Sequence, residues 1–141
     1  MKYYLLVALL AVMSAPKAQE ATPDKDTLRQ AFDGAMTCSA LAAITADKVA
    51  ANERWLWENR SFAFGKLASQ FWQQATDEPP TGEKMNEALN RYAGTLIELP
   101  PEKVEAYETS CNGKHADIDK LCEVNSCIHD GPPAVEPVAQ P

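Results

Sequence analysis

Four cysteines and two histidines are the residues of this chain best suited to chemistry. Cys38 stands alone in the N-terminal half, whereas Cys111, Cys122 and Cys127 crowd near the C-terminus with His115 and His129. Thiolate and imidazole are ligands that zinc prefers. The run Cys111-x3-His115, then Cys122-x4-Cys127-x-His129, makes these five residues the candidate metal ligands. Were one helix to run unbroken past Gly113, Cys111, His115, Ile118 and Cys122 would share a face. The other chemistry open to the cysteines is oxidation to two disulfides, and it is the stronger reading. The spacing fits none of the usual zinc frames, a zinc site would leave Cys38 over, and an export signal at the N-terminus would deliver the thiols to an oxidising compartment. We therefore expect structural cysteines, with no metal and no other cofactor.

Other reactive motifs fail on spacing. Disulfide exchange needs C-x-x-C and covalent haem needs C-x-x-C-H, and neither occurs. There is no glycine-rich phosphate loop and no dinucleotide fingerprint. Ser39, Ser69 and Ser110 fall in helical stretches rather than in a strand-turn-helix elbow. Glu98, Glu102, Glu105 and Glu108 are spaced as a solvated helical edge is. The expectation is a protein without catalytic activity and with no catalytic residue.

The elements that must position these residues are helices. Glycine is scarce, β-branched runs are absent, and Ala, Leu, Glu, Lys and Gln fill the stretches between breakers. The first helix starts near Thr22-Pro23-Asp24, with Thr22 as cap and Pro23 in the first turn. Leu28, Phe32, Ala35, Met36, Leu41, Ala42 and Val49 give it helical periodicity, and Cys38 falls on the inward face. The second helix carries Phe64, Leu67, Ala68, Phe71, Trp72 and Ala75 and ends before Asp77. Its start is open, because Asn52 and Ser61 both serve as caps. The third begins after Thr81 and stops at Leu99-Pro100-Pro101. The fourth begins at Pro101 and places Val104, Tyr107 and Cys111 on one face, and Asn112-Gly113 reads as a left-handed cap. A short fifth helix covers residues 116–123 with Ile118, Leu121 and Cys122. The fold class is all-α: a small bundle of four to five helices stapled by two disulfides.

Cys38 and Cys111 both fall on inward faces of long helices, so Cys38–Cys111 is the natural bridge across the bundle, and Cys122–Cys127 then closes a short loop. The rival pairing is Cys38–Cys122 with Cys111–Cys127. Residues 1–18 read as a signal peptide: Lys2, an apolar run over 3–15, then small residues with cleavage after Ala18. Residues 22–130 form a single helical domain, and 131–141, with four prolines, a flexible tail. The apolar run is too short for a membrane anchor, so no stable membrane insertion is expected once the signal is cleaved. The chain has net charge −7, and loss of Lys2 and Lys17 with the signal makes it −9. That charge repels phosphate backbones, so nucleic acid is excluded as a partner.

What remains is binding. The expected molecule is exported, periplasmic or secreted, and acts on a protein partner by inhibition, immunity or chaperone-like holding. Most large aromatics lie between residues 55 and 72, where Trp55, Trp57 and Trp72 are the candidate binding surface. The alternative is a carrier of an apolar small ligand, its pocket lined by the same aromatic helix.

Overall fold

The computed structural model describes residues 22–133. The expected signal at 1–18 and residues 134–141 of the expected tail lie outside the described residues. Five helices follow in order: α1 (Lys25–Ala46), α2 (Ala51–Thr76), α3 (Gly82–Glu98), α4 (Pro101–Asn112) and α5 (His115–Asn125). No strand occurs among the described residues, and the bundle is stapled by two disulfides, as the sequence implies.

The frame is an antiparallel hairpin of α1 and α2. Lys25 Nζ meets Asp77 Oδ2 at 3.4 Å, Ser39 meets Ser61, and Arg54 Nε donates to Ala46 O at 3.2 Å, so contacts step in opposite directions along the two helices. Small residues let the axes close: Ala35, Ala40, Ala42, Ala63 and Ala68 are all buried. At the closest point the serines clasp reciprocally. Ser39 Oγ donates to Ser61 O at 2.8 Å, and Ser61 Oγ donates to Ser39 O at 2.9 Å. A β-carbon on Gly65 would sit 3.6 Å from Ser39 Oγ, an ordinary contact distance, which places Gly65 beside the serine pair.

Two clusters fill the interior. Phe32, Ala35, Met36, Ala68 and Ala88 form one, backed by Trp72, whose ring lies 5.4 Å from that of Phe32. Cys38, Leu41, Phe64, Leu96, Cys111 and Ile118 form the core of the other. Tyr92 packs on both and donates its hydroxyl to Asp33, which ties α3 to α1. Burial, then that carboxylate, pushes the Tyr92 hydroxyl up to about 12.

Several local expectations are corrected. The cap of α1 is Asp24, not Thr22: its carboxylate accepts from Thr27 N at 2.8 Å and from the Thr27 hydroxyl at 3.0 Å. The helix ends at Ala46, so Val49 lies beyond it. Asn52 and Ser61 both lie inside α2, whose cap position, Ala50, offers no side-chain acceptor. Gly113 has φ −62°, a right-handed conformation, so α4 does not end in the left-handed cap expected. Tyr107 is exposed rather than turned inward with Cys111. α5 is longer than expected at both ends.

The disulfides are Cys38–Cys111, with 73 residues of separation, and Cys122–Cys127, with 5. The first lies in the core, its cysteines 5% and 4% exposed, and it is what joins α4 to α1. No helix among the described residues is long and apolar enough to cross a membrane. Two disulfides are compatible with an exported protein.

Closing a long loop constrains the unfolded chain more than closing a short one. In the chain-entropy model the long bridge contributes about 4 kcal/mol and the short one about 2. The double variant C38A/C111A should therefore unfold at markedly lower temperature than C122A/C127A. Circular-dichroism melts of both against the parent check this, and equal melting temperatures would contradict the ranking.

Candidate functional site

Four consecutive residues of α2 hold the whole C-terminal unit, residues 115–130. The rotation of 100° per residue sends successive side chains around the helix, and each finds a different anchor. Trp57 meets His115 edge-on with ring centroids 5.3 Å apart. Glu58 Oε2 lies 2.5 Å from His129 Nε2. Asn59 is buried, and its amide clamps the main chain of His129: Nδ2 donates to His129 O at 2.8 Å, and His129 N donates to Oδ1 at 2.9 Å. Arg60 makes a two-pronged ion pair with Asp119, at 2.9 and 2.8 Å, and its guanidinium stacks 4.8 Å from the Trp57 ring.

The two histidines therefore bracket α5. His115 opens it and is lodged between Trp57 and Phe64, while His129 follows the disulfide loop. The Cys122 sulfur, which has no proton once oxidised, rests 3.6 Å from Asn59 O as a packing contact. All three thiols of the candidate metal set, Cys111, Cys122 and Cys127, are consumed in disulfides. His115 and His129 face different partners on α2, and among the described residues no group of three possible ligands converges on one point.

The three tryptophans do not form one surface. Trp55 lines an open groove of about 460 Å³ with Leu56, Asp119, Glu123 and Asp130. Trp57 is wedged between His115 and Arg60. Trp72 packs on Phe32 at the far end of the bundle. The exposed apolar side chains are elsewhere. Phe62, Leu121, Val124 and Ile128 are four of the six large apolar residues exposed among the described ones, and the other two are Ile97 and Tyr107. Phe62 and Leu121 line one groove, and Phe62 and Ile128 another.

Sequence reasoning groups Phe62 with the aromatics between residues 55 and 72 and Leu121 with Ile118 and Cys122 on the fifth helix, and does not single out Val124 or Ile128. The signal that finds them is their spacing: Ile118, Leu121 and Val124 recur every third residue in a helix only 11 residues long, a wider apolar arc than one neighbour covers. Asn59 was missed too. It lies four residues before buried Ala63, a polar residue on an apolar stripe, which requires a buried partner. Comparisons with protein-family models, with curated proteins and with solved structures found no match for this chain.

Asn59→Ala would leave the amide and carbonyl of His129 unpaired. A cost of about 1–2 kcal/mol is expected, with faster amide exchange confined to residues 126–130; uniform exchange across the bundle would deny the clamp its local role. His115 gives a pH signature. Burial first, then the Arg60 cation, holds its proton affinity below the ordinary value of 6.5. As pH falls through 6.5 the unfolded chain takes up the proton first. The stability that neutral His115 confers is thus present above that pH and is lost as pH falls, levelling off below the folded-state pKa. Urea unfolding between pH 7.5 and pH 5 should show a smaller acid loss in His115→Gln than in the parent. Parallel pH curves would refute it.

Proposed function

We propose that this chain is an exported, disulfide-stabilised helical protein that acts by binding another protein, through the face shared by α2 and the C-terminal unit. One observation carries the reading. The exposed apolar residues Phe62, Leu121, Val124 and Ile128 gather around a disulfide-closed loop that α2 holds at four points. Exposed apolar groups bind best when their backbone is already fixed, because little ordering entropy is then lost on association. Inhibition, immunity and chaperone-like holding are the forms that such binding would take. Export rests on the apolar run at 3–15 and is compatible with the two disulfides.

Carriage of a small apolar ligand is the second reading, favoured by the groove of about 460 Å³ beside Trp55 and Leu56, a volume within the range of ligand pockets. Asp119, Glu123 and Asp130 on its walls argue for the first reading, since they would have to lose water to an apolar guest.

The test is affinity capture from the protein's own exported fraction, comparing the parent with the double variant Phe62→Ser/Leu121→Asp. The parent should retain a specific protein that the variant loses by about tenfold or more, since two truncated apolar contacts cost over 1.4 kcal/mol. If the parent comes through alone, protein binding fails. Native mass spectra showing a tightly held small molecule would move the assignment to the carrier.

A further inference from the structure

We infer that the trough between α2 and α5 receives one helix of the partner protein, an amphipathic helix carrying an apolar stripe and a single carboxylate set against Lys66. This deepens the protein-binding reading and rests on it. The trough holds about 560 Å³, against about 460 Å³ for the groove beside Trp55. One wall is a single face of α2: Phe62, Lys66, Gln70 and Gln73, spaced four, four and three. That face runs for about three turns, roughly 17 Å at 1.5 Å per residue. The facing wall is Leu121 and Asn125 of α5, four apart, continued by the disulfide loop. Two helices side by side with apolar residues at the floor form the seat that a third helix fills.

Charge selects the occupant. Four further grooves among the described residues each carry at least one carboxylate: Glu87 in one, Asp119 with two more in the next, then Glu58 and Glu108. The trough carries none, in a chain of net charge −7. Its one charged residue is Lys66, which has no ion-pair partner among the described residues and whose Nζ stands 5.7 Å from the centre of the Phe62 ring. A helix docked there would shield Lys66 from water. An arriving carboxylate would satisfy the ammonium, whereas an arriving cation would leave two like charges desolvated together. A strongly acidic helix would be opposed by the chain's own negative field. One carboxylate within an apolar stripe meets both conditions. Gln70 and Gln73 on the rim supply neutral hydrogen-bonding groups that a purely apolar guest would not use.

The probe is a synthetic helical peptide of about 14 residues, long enough to cover three turns, with leucines at helical spacing and one central glutamate. Two sister peptides carry lysine or glutamine at that position. Titrated into the isotope-labelled exported form of the protein, the glutamate peptide should shift amides within 62–73 and 121–127. It should bind about tenfold more tightly than the lysine peptide, a difference of about 1.4 kcal/mol. The charge reversal Lys66→Glu should invert that order, and Lys48→Glu, in the turn between α1 and α2, should leave it unchanged. Shifts on another face, equal affinity for all three peptides, or an unchanged order in K66E would overturn the assignment. So would self-association that produces the same shifts without peptide, or a variant lacking 134–141 that binds every peptide more tightly, because the occupant would then be a second copy or the chain's own end. Repeating the capture experiment with K66E separates the two levels: a partner held equally by parent and K66E leaves protein binding standing and sinks the trough.

Discussion

The close crossing of α1 and α2 is the constraint on which the rest of this molecule depends. At Ser39 the two backbones are near enough for each serine to reach the other's carbonyl, with Gly65 beside them. Such an approach tolerates only small side chains, and the alanines at 35, 40, 63 and 68 meet that demand. Every other element is attached to this hairpin rather than to its neighbours in general. α3 lies on α1 through Tyr92 and Asp33, α5 on α2 through residues 57–60, and α4 is joined by a covalent bond to Cys38, the residue next to Ser39. Alanine-rich seams bury little area per residue. A core built on one is thin, and a cross-bundle disulfide compensates for what the small side chains do not supply.

That economy explains why α4 looks as it does. Only Cys111 is buried within it, and Tyr107 is open to solvent. With Val104 half-buried against the core as its other apolar contact, α4 has little packing to fix it, and the bridge at Cys111 is its main anchor. α5 is the contrasting case. It buries Ile118 but is also held by directional contacts to α2, a guanidinium fork to Asp119 and the edge of His115 on Trp57, while the amide clamp and the Glu58 contact fix His129 just after it. Directional contacts of this kind fix an orientation, where apolar packing alone tolerates sliding. The apolar side chains of α5 are thereby released from the task of holding it.

The covalent frame was legible because Cys38 and Cys111 each fall in phase with an apolar stripe, and phase is a local property. The all-α class was legible for the same reason. The cap of α1 was misplaced by two residues because Thr22 and Asp24 are both good cap residues, and only the three-dimensional turn shows which one reaches Thr27. Nothing marks the start of α2, since Ala50 has no side-chain acceptor. Gly113 misled because the chain turns from α4 straight into α5 without reversing hand. The C-terminal clamp could not be read at all: Asn59 finds its partner 70 residues away, and that partner is a main-chain group, which every residue possesses. Its polar character on an apolar stripe announces that a partner exists and is silent on where.

The two bridges therefore act on different parts of the molecule. Cys38–Cys111 is shut inside the core and substitutes for packing. Cys122–Cys127 closes a loop of only five residues and so adds about half as much to stability as the long bridge, yet it fixes the chain between Val124, 81% exposed, and Ile128, 58% exposed. Apolar groups left that far in water at the end of a mobile segment would be a liability for a small acidic protein, inviting collapse and self-association. Fixed by a covalent loop and pinned at Asn59, the same groups hold one arrangement and can match one complementary surface. On the binding reading proposed above, the short disulfide would do two things at once: add its share of folding stability and set the shape of an apolar face.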